Sequence, residues 1–400
     1  MPEIIEKYKD FLEFEVQNLP QDDLELSIVM PCLNEAETVS QCIWKARTFL
    51  REHKIHGEVV VADNGSTDGS QLLAIKAGAR VVSVEEKGYG AALSGGVNSA
   101  KGKYIIMGDS DDSYDFLELL PMLEKLRSGY DLVMGNRFKA KLVKGAMPWS
   151  HRYIGNPFLT FVGRLFFKSK VGDFHCGLRG FTKEAFEKLD LRTTGMEFAS
   201  EMVVKATLFR LNITEVPIVL SPDGRSGKPH LRSFRDGWRH LQFLFIYSPR
   251  WLFLYPGMIM MFFGLAIAGW ILPRPFSTTP DVHSMLYAVA GIMIGFQAII
   301  FSIFSKTFAV HEKLIPAGPI IERFFNKFTP NKGIVIGLIL IALGIAGSLY
   351  TYYLWTKGTF FEVGISVTLR YVIASFTLLV MGFQLIFSSF FYGLLILQNK

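Results

Sequence analysis

Four long apolar segments constrain this chain more than any other feature. They cover residues 251–272, 285–305, 333–355 and 371–397, and none has a charged residue in its interior. Each is close to the ~20 residues that an α-helix needs to cross a hydrocarbon core of ~30 Å. Four such stretches in succession are rare in soluble cores, so they predict four transmembrane helices rather than buried helices of a large soluble domain.

The loops between these segments predict their orientation. Residues 306–332 hold five Lys and Arg residues, whereas residues 273–284 hold only Arg274. Because cytoplasmic loops carry the excess of positive charge, the 306–332 loop is predicted to be cytoplasmic. With an even number of spans, both termini and the front part of the chain are then expected on the cytoplasmic side of a plasma or ER-type membrane.

The remaining composition narrows the class of protein. The start, MPEIIEKYKDFLEFEVQ, is charged and has no apolar core typical of a signal peptide. The net charge is +6, but much of the basic excess flanks the apolar segments, so anionic lipids are the expected partner and no nucleic acid is expected. Three cysteines without metal-ligand or disulfide spacing fit a reducing compartment and are expected to be packing residues.

Ahead of the apolar segments, short β-branched runs alternate with helical patterns. The runs at residues 26–31, 57–62, 79–84 and 103–107 are predicted strands, with helices between them. This alternation predicts βαβ units and a mostly parallel, Rossmann-like α/β sheet covered on both faces. Ligands of such sheets bind beyond the carboxyl ends of the strands, so polar residues that follow these four runs are the candidates for a site.

The stretch GDSDDSYDF places Asp109, Asp111 and Asp112 directly after the fourth predicted strand. Like charges so close repel unless a cation lies between them, and an Asp-x-Asp pair suits Mg²⁺ or Mn²⁺ brought in with a substrate diphosphate. A solvated acidic turn or helix cap is the alternative. A dinucleotide fingerprint at Gly88 fails because Leu93 stands at the third glycine position, and there is no Walker-type segment.

Two further strand ends carry polar residues with open roles. Asp63, followed by Asn-Gly-Ser, can accept from a pyrimidine N–H or a ribose hydroxyl, but DNGSTDGS is also an ordinary turn and helix cap. Asn34 and Glu35, after Pro31, are open to the same two interpretations.

An ordered set of motifs follows the predicted strands: VMPCLNEAETV, VVVADNGSTDGS, EEKGYGAAL, the Asp-x-Asp stretch and LVMGNRF. This set resembles the family-2 glycosyltransferases of GT-A fold. Three later segments, DFHCGLRGFTKEAF, EFASEMVVKA and ITEVPIVL, are similar to the branch that moves a sugar from a nucleotide donor to a polyprenyl phosphate, as dolichyl-phosphate mannose or glucose synthases do. The resemblance covers about residues 25–232.

The resemblance implies site residues by position. Asp109 and Asp111 hold the donor diphosphate through Mg²⁺ or Mn²⁺, and Asp111 is also an implied catalytic residue. Many relatives have a further metal-ligating Gln two places after the second Asp; Ser113 stands there, which makes Asp112 the candidate third ligand. The implied nucleotide-binding residues are Pro31, Asn34, Glu35, Asp63, Asp68, Lys87 and Asp109.

Asp173 and Arg179, in GDFHCGLRG, match the family's Asp-x-x-x-Gly-x-Arg segment and are implied catalytic residues. A general base is not required, however, because a lipid monophosphate has a second pKa of about 6 and is already a dianionic nucleophile at neutral pH. It needs cations that position it, and Asp173 is expected to orient one of them. The candidate cations for the acceptor phosphate are Arg137, Arg152, Arg179, Arg225 and, from a basic segment before the membrane, Lys228.

Two segments have amphipathic patterns. Within residues 228–241, basic and apolar residues repeat side by side at spacings of three and four, which is typical of a helix among lipid headgroups or of an ordinary surface helix. Residues 147–170 mix aromatic and basic residues and are predicted to form a second interfacial element.

These observations predict an α/β GT-A domain followed by an α-helical membrane domain. The predicted boundaries are an N-terminal extension over residues 1–24, the glycosyltransferase domain over 25–230, a juxtamembrane amphipathic helix over 231–250 and four transmembrane helices over 251–397. The activity that the resemblance implies is an inverting transfer of a hexose, from a UDP-glucose-like donor, to undecaprenyl, dolichyl or another polyprenyl phosphate.

Three alternatives stay open from the sequence. The first is a GDP-mannose-dependent mannosyltransferase with the same acceptor. The second is a processive polysaccharide synthase, whose Gln-x-x-Arg-Trp motif is matched here only by Tyr247-Ser-Pro-Arg250-Trp251. The third is a nucleotide sensor or transporter, although the uncharged spans offer no intramembrane ionisable residue. The expected partners are the nucleotide sugar, the lipid phosphate and membrane lipids, and a homo-oligomer is left open.

Overall fold

We describe a computed structural model of the chain over residues 24–140, 143–226, 233–273, 282–316, 329–356 and 365–397. Contacts divide it into two compact units that meet in the sequence at Leu244 and Phe245. Nearly all of the predicted N-terminal extension, Lys228 and residues 317–328 of the predicted cytoplasmic loop lie outside the described residues.

The first unit is built on a seven-stranded sheet. Across the sheet the strands run in the order β3-β2-β1-β4-β6-β5-β7, and β6 is antiparallel to both of its neighbours while the other pairings are parallel. The predicted mostly parallel α/β sheet is confirmed. The strands are β1 (Leu26–Cys32), β2 (Gly57–Asp63), β3 (Arg80–Ser83), β4 (Tyr104–Met107), β5 (Leu132–Asn136), β6 (Arg179–Thr182) and β7 (Ile213–Pro217).

Helices cover both faces of this sheet because apolar residues recur in them every three or four positions. In α1 the buried positions include Val39, Ile43, Ala46 and Phe49, which pack on the sheet. The helices of this part are α1 (Val39–Glu52), α2 (Ser70–Lys76), α3 (Tyr89–Ser99), α4 (Leu120–Arg127), α5 (Asn156–Phe167), α6 (Lys183–Leu189), α7 (Phe198–Leu208) and α8 (Ser233–Ile246).

The strand register decides which loops meet. Cys32 at the end of β1 pairs with Asp63 at the end of β2, and β4 lies on the other side of β1 in the same direction. Because β6 is antiparallel, its first residue, Arg179, pairs with Met107 at the end of β4. The loop that precedes β6 therefore arrives at the same edge of the sheet as the loops that follow β1, β2 and β4.

In its described segments, the second unit has four helices long and apolar enough to cross a membrane, as the sequence predicts. They are α9 (Tyr255–Ile271), α10 (Val282–His311), α11 (Pro330–Thr356) and α12 (Ile365–Leu397), and a π-helical stretch, Arg250–Leu254, leads into α9. Glycines let neighbouring helices approach closely, as is common between helices in membranes. A Cβ at Gly264 of α9 would lie 2.5 Å from the Ala288 carbonyl oxygen of α10, and one at Gly337 of α11 would lie 2.8 Å from the Gly382 carbonyl oxygen of α12.

Candidate active site

Acidic residues from two loops converge at the carboxyl edge of the sheet. Glu35 follows β1, whereas Asp109 and Asp111 follow β4. Two backbone-linked contacts hold these loops together: Ser110 donates its hydroxyl to the Pro31 carbonyl at 2.6 Å, and Thr38 donates to the Ser110 carbonyl at 2.7 Å. The acidic residues of the two loops are therefore held in one place by the fold rather than by their own charges.

Arg225 is the cation that lies among these carboxylates. Its guanidinium donates to Glu35 Oε1 at 2.7 Å and reaches Asp111 Oδ2 at 3.4 Å, and it also contacts Asp223. The segment that carries it is fixed because Gly224 N donates to the Asp111 carbonyl at 2.9 Å. Predicted as a ligand for the acceptor phosphate, Arg225 instead lies within the acidic cluster.

Two carboxyl groups in this cluster hold protons more tightly than usual. Burial raises the pKa of Glu35 to about 7 against the opposing charge of Arg225, with Asp111 and Asp223 adding to the rise. Burial and the charge of Asp111 raise the pKa of Asp109 to about 6, against a hydrogen bond from the Tyr89 hydroxyl at 2.8 Å. Burial and the neighbouring carboxylates thus outweigh the charge of Arg225 and the hydrogen bond of Tyr89 that oppose them.

Asp112 lies apart from the other two aspartates. Its backbone has a left-handed φ of 61°, and its carboxylate forms an ion pair with Lys45 of α1 at 2.8 Å. The Ser113 hydroxyl donates to Asp111 Oδ1 at 2.6 Å. The predicted set of three metal-binding aspartates is therefore not assembled, because the turn of the chain at Asp112 directs its side chain towards α1.

The residues predicted to bind the nucleotide mostly shape the turns. Asp63 is fully buried, and its carboxylate accepts from Gly65 N, Ser66 N and the Gln71 side chain. This is the turn interpretation that the sequence left open. Asn34 accepts from Thr67 N at 2.8 Å, Asp68 from Ala36 N at 3.0 Å, and the exposed Lys87 donates to the Asn64 carbonyl at 2.7 Å.

Asp173 holds Arg137 by two parallel hydrogen bonds of 2.7 and 2.8 Å, and both side chains are buried. The carboxylate also accepts from Arg137 N at 3.2 Å. The Arg137 guanidinium keeps Asp173 fully occupied, so Asp173 is arranged to orient a cation and not to remove a proton. This charge pair raises the pKa of Arg137 against the effect of burial.

Arg179 is placed differently from its predicted catalytic role. Its side chain is fully buried and donates to the carbonyl groups of Cys176 at 2.8 Å, Ala199 at 2.6 Å and Phe174 at 2.9 Å. Two of these bonds lie within the loop before β6, and the bond to Ala199 ties this loop to α7. Arg152 is exposed on a π-helical stretch, with its guanidinium 5.2 Å from the centre of the Tyr153 ring.

Two residues that the sequence analysis missed complete the surroundings of Asp109. Tyr89 donates to its carboxylate from the first residue of α3, and Gly177, in the loop before β6, leaves the space in which that carboxylate lies. A Cβ at Gly177 would overlap Asp109 Oδ2. The sequence signal for Tyr89 is the Gly-Tyr-Gly turn that follows the third predicted strand.

A groove of about 650 Å³ lies on the same unit beside the Asp173 loop. Its walls combine the apolar side chains of Phe138, Phe161 and Leu165 with the basic side chains of Arg164 and Lys168, and Gly172 lies at its edge. Around it, α5 and the preceding segment leave large apolar side chains exposed to solvent. They are Trp149, Tyr153, Ile154, Phe158, Phe161 and Leu165.

A divalent cation fits the donor set of Asp109 and Asp111. Within the described part of the chain, no three His, Cys, Asp or Glu side chains are arranged to hold a metal ion. Mg²⁺ and Mn²⁺ nevertheless need only one or two carboxylates when substrate phosphates and water supply the remaining ligands. Burial and the charge of Asp111 raise the pKa of Asp109, as expected for a buried carboxyl group beside a second one. A cation bound to both would stabilise their charged forms.

Comparisons with known proteins bear on both units. A model of Glycosyl transferase family 2 matches residues 27–190, and a model of the Glycosyltransferase family 2 C-terminal transmembrane region matches residues 303–396. The low-salt glycan biosynthesis hexosyltransferase Agl6 of Haloferax volcanii is 36% identical over 376 residues, which cover 92% of this chain and 88% of Agl6.

Two further similarities are more limited. A dolichyl-phosphate hexose transferase of Haloferax volcanii is 30% identical over 216 residues, which cover 53% of this chain and 89% of that protein. A crystal structure of glucosyl-3-phosphoglycerate synthase from Mycobacterium tuberculosis, with Mn²⁺, uridine diphosphate and glucosyl-3-phosphoglycerate, matches at 21% identity and a TM-score of 0.44 over 59% of this chain and 80% of that one. That structural similarity is too low to bear on the ligands of this chain.

Proposed function

Because this chain belongs to glycosyltransferase family 2, we propose that it transfers a hexose from a UDP-sugar to a polyprenyl phosphate, with inversion at the anomeric carbon. The observation that carries the proposal is the convergence of Asp109 and Asp111 at the sheet edge, beside a buried Asp173–Arg137 pair. The acceptor class is supported by the similarity to a dolichyl-phosphate hexose transferase.

Asp109 and Asp111 are the residues proposed to hold Mg²⁺ or Mn²⁺ together with the donor diphosphate. When bound, such a cation stabilises the negative charge of the departing nucleoside diphosphate. Tyr89 and Gly177 keep the Asp109 carboxylate in place, and Ser113 does the same for Asp111. Arg225, within reach of Asp111, supplies a further positive charge beside the anionic donor.

Arg137 is proposed to position the acceptor phosphate. Its guanidinium forms two hydrogen bonds with Asp173, and the remaining N–H groups are the donors available for a phosphate oxygen. A dianionic phosphate needs no base, so orientation is the main contribution that this pair makes. Asp173 therefore acts as a positioning residue that fixes the direction of the guanidinium.

The groove between Phe138 and α5 is proposed to receive the first isoprene units of the acceptor. Its apolar walls suit hydrocarbon, and Arg164 and Lys168 suit a phosphate near its edge. The exposed aromatic side chains on the same segment, together with Phe234 and Trp238 on α8, suit burial among lipid headgroups. A catalytic unit on the cytoplasmic face of an integral membrane protein is the arrangement proposed.

The test compares two adjacent aspartates. Purified protein is incubated with Mn²⁺, polyprenyl phosphate and radiolabelled UDP- or GDP-sugars, and the lipid product is separated by thin-layer chromatography. We expect Asp111→Asn to lower transfer by at least about a hundredfold, because it removes a ligand for a multivalent charge. Asp112→Asn should stay within a few-fold of the unchanged protein, because Asp112 pairs with Lys45.

The outcomes separate the alternatives. Equal activity of the Asp111→Asn variant and the unchanged protein would remove the proposed site. A polymer in place of one sugar per lipid would favour the processive synthase, and transfer only from GDP-mannose would replace the proposed donor.

A further inference from the structure

The helix α8 packs on the rest of the first unit with two polar side chains, Asp236 and His240, buried along with the apolar Phe243 and Leu244. Its apolar residues Phe234 and Trp238 are 91% and 55% exposed, whereas Asp236 and His240 are only 2% and 6% exposed. A helix that merely covered a core would bury its apolar side chains and expose the polar ones. The buried imidazole of His240 therefore calls for a specific explanation.

His240 is one end of a chain of three polar side chains. Its Nδ1 lies 2.8 Å from the hydroxyl of Ser200, a fully buried residue of α7. The same hydroxyl lies 3.3 Å from Nε2 of His175, and the two imidazole rings are nearly perpendicular with centres 4.7 Å apart. Three segments of the chain thus meet at one hydroxyl.

The number of protons gives this chain of contacts a direction. Ser200 has one hydroxyl hydrogen, so it can donate to one imidazole and must accept from the other. With Ser200 as donor to His240 Nδ1, the shorter contact, His175 donates from Nε2; in the opposite pair of tautomers, His240 donates from Nδ1 and His175 accepts. Among the described residues, His175 Nδ1 is buried without a hydrogen-bond partner. The contact with Ser200 is therefore the one hydrogen bond of that ring in the described part of the chain, and it orients the ring.

The pKa values of both imidazoles are lowered, which favours their neutral forms. Burial lowers the pKa of His240 to about 4, with Asp236 opposing this effect and Arg179 adding to it. Burial also lowers the pKa of His175 well below its usual value, and the charges of His240, Arg137 and Arg179 lower it further.

His175 belongs to the same loop as Asp173, which orients Arg137, the side chain proposed to position the acceptor phosphate. Its backbone N–H donates to Asp173 Oδ1 at 3.3 Å, and the same oxygen accepts from Arg137 Nη2 at 2.8 Å. A displaced His175 would therefore change a hydrogen bond of the carboxylate that orients Arg137. The side chain of His240 thus contacts His175 through Ser200, and the backbone of His175 contacts the carboxylate that orients Arg137.

We propose that His240 is a positioning residue, which acts through Ser200 and His175 to hold the loop of residues 172–178 and with it the Asp173–Arg137 pair. The role in binding the acceptor rests on the proposed function of Arg137, whereas the effect on the loop does not. The helix α8 and the guanidinium of Arg137 are then connected by one series of hydrogen bonds.

The test uses side chains that keep or remove the acceptor atom. Asn places its Oδ1 near the position of Nδ1, so His240→Asn retains the bond from Ser200, whereas His240→Leu loses it. Ser200→Ala, a smaller change, also breaks the chain and serves if His240→Leu does not fold. Arg239→Gln, at an exposed neighbouring position of α8, is the control for a change in this helix.

Two readouts are measured in detergent-purified full-length protein. We expect His240→Leu and Ser200→Ala to raise the KM for polyprenyl phosphate about tenfold, the effect of one lost hydrogen bond, and to leave the KM for the donor unchanged. Hydrogen–deuterium exchange of residues 172–178 should become faster in the same variants, while His240→Asn and Arg239→Gln stay within about twofold of the unchanged protein.

The proposal is overturned if His240→Asn is impaired as much as His240→Leu, or if exchange in residues 172–178 is the same in all variants. If the unchanged protein transfers no sugar to the lipid, the proposed function fails, and the exchange measurement still decides whether His240 holds the loop.

Discussion

Among single side chains, Arg225 best explains how the acidic cluster is tolerated before any ligand binds. It contacts Glu35, Asp111 and Asp223, yet burial still raises the pKa of Glu35 to about 7. The charge of Arg225 therefore offsets only part of the combined effect of burial and of the carboxylates of Asp111 and Asp223. The charge of Asp111 likewise raises the pKa of Asp109, and a divalent cation would stabilise both carboxylates in their charged forms, which is the electrostatic basis for proposing Mg²⁺ or Mn²⁺ beside them.

Gly177 gives the sharpest prediction for one residue. Gly177→Ala should lower kcat/KM for the donor by at least about tenfold, because the new methyl group would occupy the space of the Asp109 carboxylate and displace it. Steady-state kinetics at saturating metal measure this effect. Gly237→Ala is the matched control, since a Cβ at Gly237 has no atom within 4 Å and should leave kinetics unchanged. Equal kinetics of the Gly177→Ala variant and the unchanged protein would show that Asp109 tolerates displacement.

The position of the acidic residues at the carboxyl edge of the sheet follows from the sequence, but their hydrogen-bond and ion-pair partners do not. Asp173 was expected to orient one of several arginines, and the structure selects Arg137, because β5 and the loop before β6 end side by side. The burial of Arg179 and the pairing of Asp112 with Lys45 depend on contacts between segments far apart in the chain. Motif spacing contains no information on such contacts.

At the scale of helices and strands, the local sequence pattern predicted the strands that consist of a distinct apolar run. The strands β1 to β4 fall within one residue of the predicted ranges at their starts. The short β6, RGFT, was not predicted, and its antiparallel direction follows from the sheet it joins and not from its residues. That direction is what brings Gly177 and Asp173 to the site.

The helix α8 gives a prediction about pH. The folded pKa of His240, about 4, lies below the usual value of 6.5, so its contribution to stability is fully present above pH 6.5 and is lost as the pH falls towards 4. The difference corresponds to about 3 kcal/mol. Thermal unfolding of the full-length protein in detergent, from pH 7.5 to 4.5, should therefore show a smaller loss of stability on acidification for His240→Asn than for the unchanged protein. An equal loss of stability in the variant and the unchanged protein would mean that the pKa of His240 is the same in the folded and unfolded states.

For the chain as a unit, the orientation of the four spans can be tested without removing the three native cysteines. Cys32, Cys42 and Cys176 are buried, so they should react slowly with a membrane-impermeant maleimide. A cysteine introduced at Lys313 should be labelled only after intact cells are opened, and one at His283 should be labelled from outside, because positive charge marks the cytoplasmic loop. Labelling of both positions from the same side would contradict the predicted topology.

Arg225 also determines when during synthesis the site can be completed. The site residues run in sequence from Pro31 to Arg225, and the first membrane-crossing helix begins only 25 positions later, at Arg250. Domains fold as units, N-terminal ones first, as the chain is made. The guanidinium that joins Glu35 to Asp111 is thus the last part of the site to leave the ribosome, shortly before the chain enters the membrane. A truncation just before Arg225 would leave the acidic cluster without this counter-charge, so assembly of the site and insertion of the chain are adjacent events in its biogenesis.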